Sequence, residues 1–289
     1  MSAEFLPSDL ARWQAGIVRD DLPRDIIDEQ LIGALHLRAL TLAGFEHDRH
    51  AERTAAQTGT IDALLAGNFE GDASVGDVLR LGDLGVGTLQ QLDGELMLLD
   101  GEAWVARADG TIEPVADDDL TPFAVACRFQ ADATIHQAEP LDFDALRRVL
   151  DALAPADVPI VAIRARGAFV DLELRSVHRQ YPPYPPLSQV VAQQTRWTVA
   201  TSIGTLIGFR FPDGTSGVEV PGYHLHYLSD DRQVGGHVLS IAVASADIEV
   251  DRCDSLHVEL PKGVTLGVPG ATDRAVITAL ESAPSADEG

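Results

Sequence analysis

One stretch decides the local fold: Gly222-Tyr223-His224-Leu225-His226-Tyr227, followed closely by Val234-Gly235-Gly236-His237-Val238. Side chains two residues apart on a β-strand project from the same face, so His224 and His226 point the same way. The intervening residues are polar and typical of a turn, and a hairpin there returns His237 to the side of the pair. The sequence therefore predicts that three imidazoles converge on one point.

Three converging histidines are typical of a catalytic metal site. Three neutral nitrogen ligands leave a divalent cation its full charge and at least one open coordination position. A structural zinc site would use four protein ligands, and the two cysteines, Cys127 and Cys253, form no C-x-x-C pair. Zn²⁺ is the metal we expect, and other divalent transition metals suit the same ligands. The alternative interpretation is that alternate histidines merely cover a half-buried strand.

The composition narrows the class of protein. The chain has 289 residues, of which 45% are hydrophobic, so it can bury a sizeable core. Its formal net charge of −24 argues against binding to nucleic acid or to anionic membranes. Apolar runs stay shorter than the roughly 18 residues of a membrane span, and the acidic start does not resemble a signal peptide. We expect a cytoplasmic protein, which two distant cysteines also fit.

Three regions are predicted along the chain. Residues 1–55 have apolar side chains at helical spacing and are interpreted as a helical N-terminal extension. Residues 56–180 contain short apolar stretches divided by turns and are interpreted as a β-rich domain. The prolines of residues 181–186 indicate a stiff extended link. We place a domain boundary there, so that residues 181–289 form a C-terminal domain that carries the histidines. The alternative is a polyproline loop within one continuous domain.

Local signals define individual elements. Residues 94–105 are predicted to form a hairpin with its turn at Asp100-Gly101. Helical periodicity over residues 142–153, with Asp142 as a possible N-cap, predicts one helix, and residues 187–194 predict another. The expected fold class is α/β (α+β), with two domains, each built on a mixed or antiparallel β-sheet with flanking helices.

Several separated motifs resemble, in the same order, those of the α-acetolactate decarboxylase family. They are Gln57-Thr58-Gly59-Thr60-Ile61, Gly85-Val86-Gly87-Thr88, Leu92-Asp93-Gly94-Glu95-Leu96, Thr121-Pro122-Phe123, Gly167-Ala168-Phe169, Arg175-Ser176-Val177, Gly204-Thr205-Leu206-Ile207-Gly208-Phe209 and the two histidine segments. The resemblance covers about residues 57 to 262. It implies metal-dependent decarboxylation of 2-acetolactate to acetoin and CO₂, a homodimer, and a metal site near the interface of the two domains.

The resemblance also assigns roles to particular residues. It implies that the three histidines bind the metal and that Arg175 binds the substrate carboxylate. It also implies an acid-base or metal-proximal role for Glu95 and a polar contact between Thr88 and the substrate. The family's late C-terminal glutamate corresponds to Glu281. From the residues alone, Arg175 could instead form a surface ion pair, and Glu95 could be a solvated hairpin residue.

The implied chemistry fits this set of side chains. A 2-hydroxy-3-oxo acid can chelate a metal through its hydroxyl and ketone oxygens while its carboxylate faces Arg175. Loss of CO₂ leaves an enediolate, whose charge a divalent cation stabilises. A protonated glutamate, Glu95 or Glu281, then delivers a proton to carbon. Schiff-base chemistry is disfavoured, because the only lysine, Lys262, lies in a turn-like Pro-Lys-Gly sequence.

Two other classes of protein stay open at this stage. A cupin-like dioxygenase also carries H-x-H on a strand, but its usual glutamate would fall where Asp230 and Asp231 stand. A noncatalytic metal-dependent binding module would need the histidines but neither Arg175 nor Glu95. The dioxygenase would require O₂, and the binding module would release no product.

Overall fold

Two β-sheets form the body of the protein in a computed structural model, which describes residues 53–154, 158–215 and 217–260. The strands are β1 (Thr54–Thr58), β2 (Ala73–Ser74), β3 (Leu84–Thr88), β4 (Glu95–Leu99), β5 (Glu102–Ala106), β6 (Ile112–Pro114), β7 (Leu120–Thr121), β8 (Phe123–Cys127), β9 (Ala133–Gln137), β10 (Ile160–Ser176), β11 (Thr195–Phe211), β12 (Gly222–Ser229), β13 (Gly235–Cys253) and β14 (Ser255–Glu259). The helices in these ranges are α1 (Ile61–Leu65), α2 (Val75–Leu81), α3 (Phe143–Leu153) and α4 (Leu187–Val191). This mixed, sheet-rich architecture confirms the expected α+β class.

The first sheet has seven strands in the order β14-β1-β8-β3-β4-β5-β6. Strand β1 pairs with β14 in parallel, and the other neighbours are antiparallel, so the sheet is mixed. Strands β4 and β5 form the predicted hairpin. Asp100 and Gly101 both have positive φ, 54° and 79°, as a two-residue type I′ turn requires.

The second sheet has five antiparallel strands in the order β10-β11-β12-β13-β9, and β10 also pairs with β13. The pairings β10–β11, β11–β12, β12–β13 and β13–β10 therefore form a closed circuit. The β12–β13 contact is only three residue pairs long, at the hairpin that carries the histidines. This short contact closes the circuit at the metal-site end of the sheet.

Strand pairing crosses the boundary predicted at residue 181. Strands β9 and β10 precede it but share a sheet with β11, β12 and β13, while β14 follows it and pairs with β1. The physical reason is that β10 is long enough, at 17 residues, to pair along its length with both β11 and β13. The ranges 56–180 and 181–289 therefore do not coincide with the two sheets, and as domain assignments they stay predictions.

The predicted N-terminal extension, residues 1–55, lies outside the described residues except at its end. There the prediction of helix is wrong, because Thr54 and Ala55 open strand β1. Ala55 is fully buried in the core between the sheets, and this packing holds the segment in extended form.

The predicted helices are present near the positions expected. Helix α3 begins after Asp142, whose side chain accepts a hydrogen bond from the backbone N–H of Ala145 at 2.7 Å. Its buried residues, Leu146 and Leu150, pack against one face of the five-stranded sheet. Helix α4 ends at Val191, three residues earlier than expected. No helix in the described ranges is long and apolar enough to span a membrane.

The two faces of β12 pack against different partners. Leu228 lies with Met97 and Phe209 in the core between the two sheets. Leu225 and Tyr227 lie in the separate core beneath α3. Because neighbouring residues of a strand alternate between faces, the histidines point from the five-stranded sheet toward the seven-stranded sheet.

Candidate metal and substrate site

The three histidines converge as the sequence predicts. His226 and His237 are direct partners across the β12–β13 pairing, and His224 lies two residues before His226. The ring centroids are 5.1 to 5.3 Å apart, and one ring nitrogen from each residue lies within 4.8 Å of the others. All three side chains are buried. The described residues thus bring together three nitrogen donors from one sheet.

Two glycines allow the strands to approach this closely. Gly236 has φ +140°, and a Cβ atom there would lie 2.8 Å from the carbonyl oxygen of Arg175. Gly208 on β11 has φ +154°, and a Cβ atom there would lie 2.0 Å from the carbonyl oxygen of His224. Any larger residue would displace the backbone next to the histidines, because real Cβ atoms do not approach a carbonyl oxygen so closely.

The surroundings keep the imidazoles neutral. Burial, with a smaller effect of the Arg175 guanidinium, lowers the pKa of His224 from 6.5 to about 3. Burial is also the main cause that lowers the pKa of His226 and of His237 well below 6.5, with Arg175 and neighbouring rings adding to it. Neutral imidazole carries the lone pair that a metal ion requires.

His226 fits a metal ion particularly well. Its Nδ1 lies 2.9 Å from the backbone carbonyl oxygen of Leu96, so Nδ1 must carry the proton and Nε2 the lone pair. That Nε2 is buried and has no hydrogen-bond partner among the described residues. A buried polar atom in this state is costly unless something satisfies it. A divalent transition metal between three neutral nitrogens would do so.

Arg175 and Glu95 form an ion pair beside the histidines. Nη1 of Arg175 donates to Oε1 of Glu95 at 2.7 Å, and the two side chains are only 8% and 7% exposed. Arg175 on β10 is paired across the strands with His237, while Oε2 of Glu95 on β4 lies 3.6 Å from Nε2 of His226. Neither residue is a solvated surface group, so both alternative interpretations of these positions are wrong.

Thr88 supports Glu95 from the neighbouring strand. The two residues are cross-strand partners in the β3–β4 pairing. The Thr88 hydroxyl donates to the carbonyl oxygen of Gly94 at 2.8 Å and so holds the turn that leads into Glu95. Thr88 also lines the pocket beside the histidines, where its oxygen can still accept a hydrogen bond.

A pocket with one polar side opens next to this cluster. Its polar lining consists of Thr88, Glu95, Arg175 and His224. Its apolar lining consists of Ile61, Leu64, Leu92, Phe123, Val177, Leu187, Val191 and Val220. Helices α1 and α4 supply half of these apolar side chains. The pocket therefore suits a small molecule that has charged or oxygen-bearing groups at one end and alkyl groups at the other.

Comparison with known proteins identifies the family. Residues 56–266 match the family model of alpha-acetolactate decarboxylase. The chain belongs to the alpha-acetolactate decarboxylase family. The resemblance found in the sequence motifs is thereby confirmed.

Individual members of the alpha-acetolactate decarboxylase family match over most of their length. The enzyme of Methylococcus capsulatus is 37% identical over 213 residues, which are 74% of this chain and 82% of that protein. The Methanosarcina mazei enzyme is 38% identical over 71% of each chain. The crystal structure of alpha-acetolactate decarboxylase from Bacillus subtilis strain 168 matches with a TM-score of 0.76 and 29% identity, covering 80% of this chain and all of that one. The two sheets are therefore the family fold.

Two further glutamates, Glu281 and Glu219, bear on the site. Glu281, predicted from the resemblance, lies outside the described residues. Glu219 was missed in the sequence analysis, yet it is fully buried and its Oε2 lies 4.0 Å from Nδ1 of His224. The sequence did contain a signal for this position, because Glu219 is a charged residue between two apolar ones, Val218 and Val220, just before the histidine strand.

Proposed function

We propose that this chain decarboxylates 2-acetolactate to acetoin and CO₂, using a divalent transition metal held by His224, His226 and His237. The single observation that carries the proposal is the buried Arg175–Glu95 pair beside three neutral imidazoles. An anion-binding guanidinium, a carboxyl group and three metal donors are the groups that decarboxylation of a 2-hydroxy-3-oxo acid requires.

Arg175 is proposed to bind the substrate carboxylate. The whole chain carries a formal charge of −24 and repels an anion at long range, so capture needs a concentrated local positive charge. A guanidinium can hold a carboxylate through two parallel hydrogen bonds. Its pairing with Glu95 keeps the guanidinium oriented at the edge of the pocket.

If a divalent metal is bound, it would supply stabilisation of the negative charge that develops on oxygen as CO₂ leaves. The three histidines would hold the ion, and the carbonyl oxygen of Leu96 orients the ring of His226 by accepting a hydrogen bond from its Nδ1. We propose zinc as the native metal, because three imidazoles and an open position suit it well. Elemental analysis of protein purified without added metal tests this assignment.

Glu95, when protonated, is proposed to deliver the proton that replaces CO₂. It lies in the pocket wall and approaches the site from the seven-stranded sheet, opposite the histidine strands. Delivery from one fixed side makes one enantiomer of acetoin. Glu281 is the second candidate for this step. The apolar lining from α1 and α4 is proposed to hold the alkyl groups of the substrate and to exclude water.

The decisive experiment is an anaerobic assay of purified, metal-loaded protein with 2-acetolactate. We expect stoichiometric acetoin and CO₂ without O₂. A requirement for O₂ would instead indicate a dioxygenase, and metal-dependent binding without product would indicate a noncatalytic module. Either result would overturn the proposal.

A homodimer and a cytoplasmic location complete the proposal. Family membership supports the homodimer, and sedimentation analysis of the purified protein tests it. Both cysteines, Cys127 and Cys253, are free and buried, which supports a reducing compartment.

We also propose that the two sheets, rather than the ranges 56–180 and 181–289, are the units between which the metal site lies. Limited proteolysis that released a stable fragment ending near residue 181 would contradict this.

A further inference from the structure

Leu92 lines the pocket in a backbone conformation that is unusual for its residue type. Leu92 and the preceding Gln91 both have positive φ, 54° and 64°. Five non-glycine residues of the described ranges have positive φ, and Leu92 is the only apolar one among them. This left-handed region is sterically unfavourable for any residue with a Cβ atom, so the conformation persists only where the surrounding structure holds it.

Three hydrogen bonds hold Gln91 in this conformation. Its backbone N–H donates to the carbonyl oxygen of Phe69 at 2.6 Å, and its carbonyl oxygen accepts from the backbone N–H of Gln180 at 2.7 Å. Its side-chain Oε1 accepts from Nε of Arg179 at 2.7 Å. Phe69 follows α1 in the chain, and Arg179 and Gln180 precede α4. The turn is therefore tied to both chain segments whose helices line the pocket.

The same turn leads into the polar end of the pocket. The carbonyl oxygen of Leu92 accepts from the backbone N–H of Gly94 at 2.9 Å, and the Thr88 hydroxyl donates to the carbonyl oxygen of Gly94 at 2.8 Å. Glu95 follows directly as the first residue of β4. One short connection thus carries Leu92 together with two of the polar residues that line the pocket, Thr88 and Glu95. The position of the Leu92 side chain is fixed relative to both.

Leu89, three residues earlier, is a close counterpart that does not line this pocket. Leu92 packs with other pocket residues, among them Phe123 and Val177. Leu89 packs instead in the core cluster that contains Val78 of α2. The two leucines are 2% and 5% exposed, so they differ in contact with the pocket and not in burial.

We propose that Leu92 limits the size of the alkyl groups that the pocket accepts, and that Gln91 is the positioning residue that keeps Leu92 in place. The inference rests on the proposed decarboxylation of 2-acetolactate, whose two alkyl groups are both methyl. A larger group would have to displace Leu92, and the turn that carries it cannot withdraw without breaking the hydrogen bonds of Gln91.

The test compares 2-acetolactate with two homologues, one with ethyl in place of methyl on C2 and one with ethyl in place of methyl on the ketone. One methylene group in a fitted apolar pocket changes kcat/KM by about 10- to 200-fold, and we expect the wild type to discriminate against at least one homologue by such a factor. In Leu92→Ala, the kcat/KM of that homologue relative to that of 2-acetolactate should rise about 10-fold or more. Because one preparation serves all three substrates, this ratio does not depend on the fraction of protein that is folded.

The matched control is Leu89→Ala, the same truncation in the same connection. It should lower stability as any buried leucine-to-alanine change does and leave the ratio at its wild-type value. Three results would overturn the proposal: a wild type that accepts both homologues as readily as 2-acetolactate, an unchanged ratio in Leu92→Ala, or an equal rise in Leu89→Ala. The last would mean that general loosening of the connection explains the effect.

Gln91→Ala tests the positioning role and keeps the proposal testable if Leu92→Ala does not fold. It removes the side-chain acceptor of Arg179, and the ratio should rise, by less than in Leu92→Ala. Gln90→Ala is its control, because Gln90 donates to Glu70 instead, at 2.7 Å. An unchanged ratio in Gln91→Ala would overturn the positioning role. If the wild type formed no acetoin from 2-acetolactate, the proposed function would fail, an outcome distinct from acetoin formation with unchanged selectivity.

Discussion

The two sheets contribute to the site in different ways. The five-stranded sheet supplies Arg175 and the three histidines, and strand pairing alone sets His226 against His237 and His237 against Arg175. The seven-stranded sheet supplies Thr88 and Glu95, which are cross-strand partners of each other. These reach the histidines only because one sheet packs on the other.

The five-stranded sheet therefore places the metal ligands, and the seven-stranded sheet contributes the carboxyl group proposed to act in the chemistry. Register within one sheet fixes the metal donors, whereas packing between the sheets brings in the carboxyl group. The Arg175–Glu95 ion pair joins the two sheets at the site. Substitution of a metal-binding histidine should therefore abolish metal binding, and substitution of Glu95 should leave it intact.

The largest effect is expected for His237→Ala. Removal of one of three ligands should abolish stoichiometric metal binding and reduce turnover more than about 100-fold, because the ion contributes several kcal/mol of transition-state stabilisation. Metal analysis and an acetoin assay measure both quantities. His136→Ala, on an exposed histidine of β9, is the control and should behave as wild type. Normal metal content and turnover in His237→Ala would show that the histidine cluster is not the metal site.

Glu95→Gln should separate chemistry from metal binding. The variant should keep its metal, and acetoin formation should slow by about 100-fold, the usual lower range for loss of a general acid, or yield product of reduced enantiomeric purity. Chiral analysis of acetoin together with metal content makes the measurement. Glu102→Gln, on the exposed end of β5, is the control. Unchanged rate and chirality would leave Glu95 with a structural role only.

Arg175→Lys should have a smaller effect. Lysine keeps the positive charge but loses the planar fork, so kcat/KM should fall about 10- to 100-fold, as expected for a lost charged hydrogen bond. Metal content should be retained. The control is Arg166→Lys, whose ion pair with Asp100 is largely exposed and contributes little. A variant with wild-type kcat/KM would contradict the proposed binding of the substrate carboxylate.

The smallest effect on chemistry is expected for Leu225→Ala. Leu225 is buried on the face of β12 that packs beneath α3, away from the histidines. Its truncation should lower the free energy of unfolding by about 2 to 5 kcal/mol, with metal stoichiometry and turnover of the folded protein preserved. Denaturant unfolding monitored alongside metal content checks this. Loss of metal at unchanged stability would mean that the two faces of the strand are not functionally distinct.

The local features of the site could be predicted from the sequence. Alternation along a strand gave the common direction of His224 and His226, and the polar turn gave the return of His237. The Asp100-Gly101 turn and helix α3 followed equally from short-range signals. Family motifs added candidate roles for Arg175 and Glu95, but not the contact between them.

Tertiary structure alone decided the remaining features. Glu95 and Arg175 are 80 residues apart in the chain, and Oε1 accepts from Nη1 only because two separate sheets pack face to face. The same holds for the position of Glu219 beside His224, and for the sharing of one sheet by strands on both sides of residue 181. Periodicity and turn chemistry depend on neighbours along the chain, and so the sequence by itself determined the histidine hairpin. Contacts between sheets depend on how distant segments exclude water together, a property of the whole fold that no single motif contains.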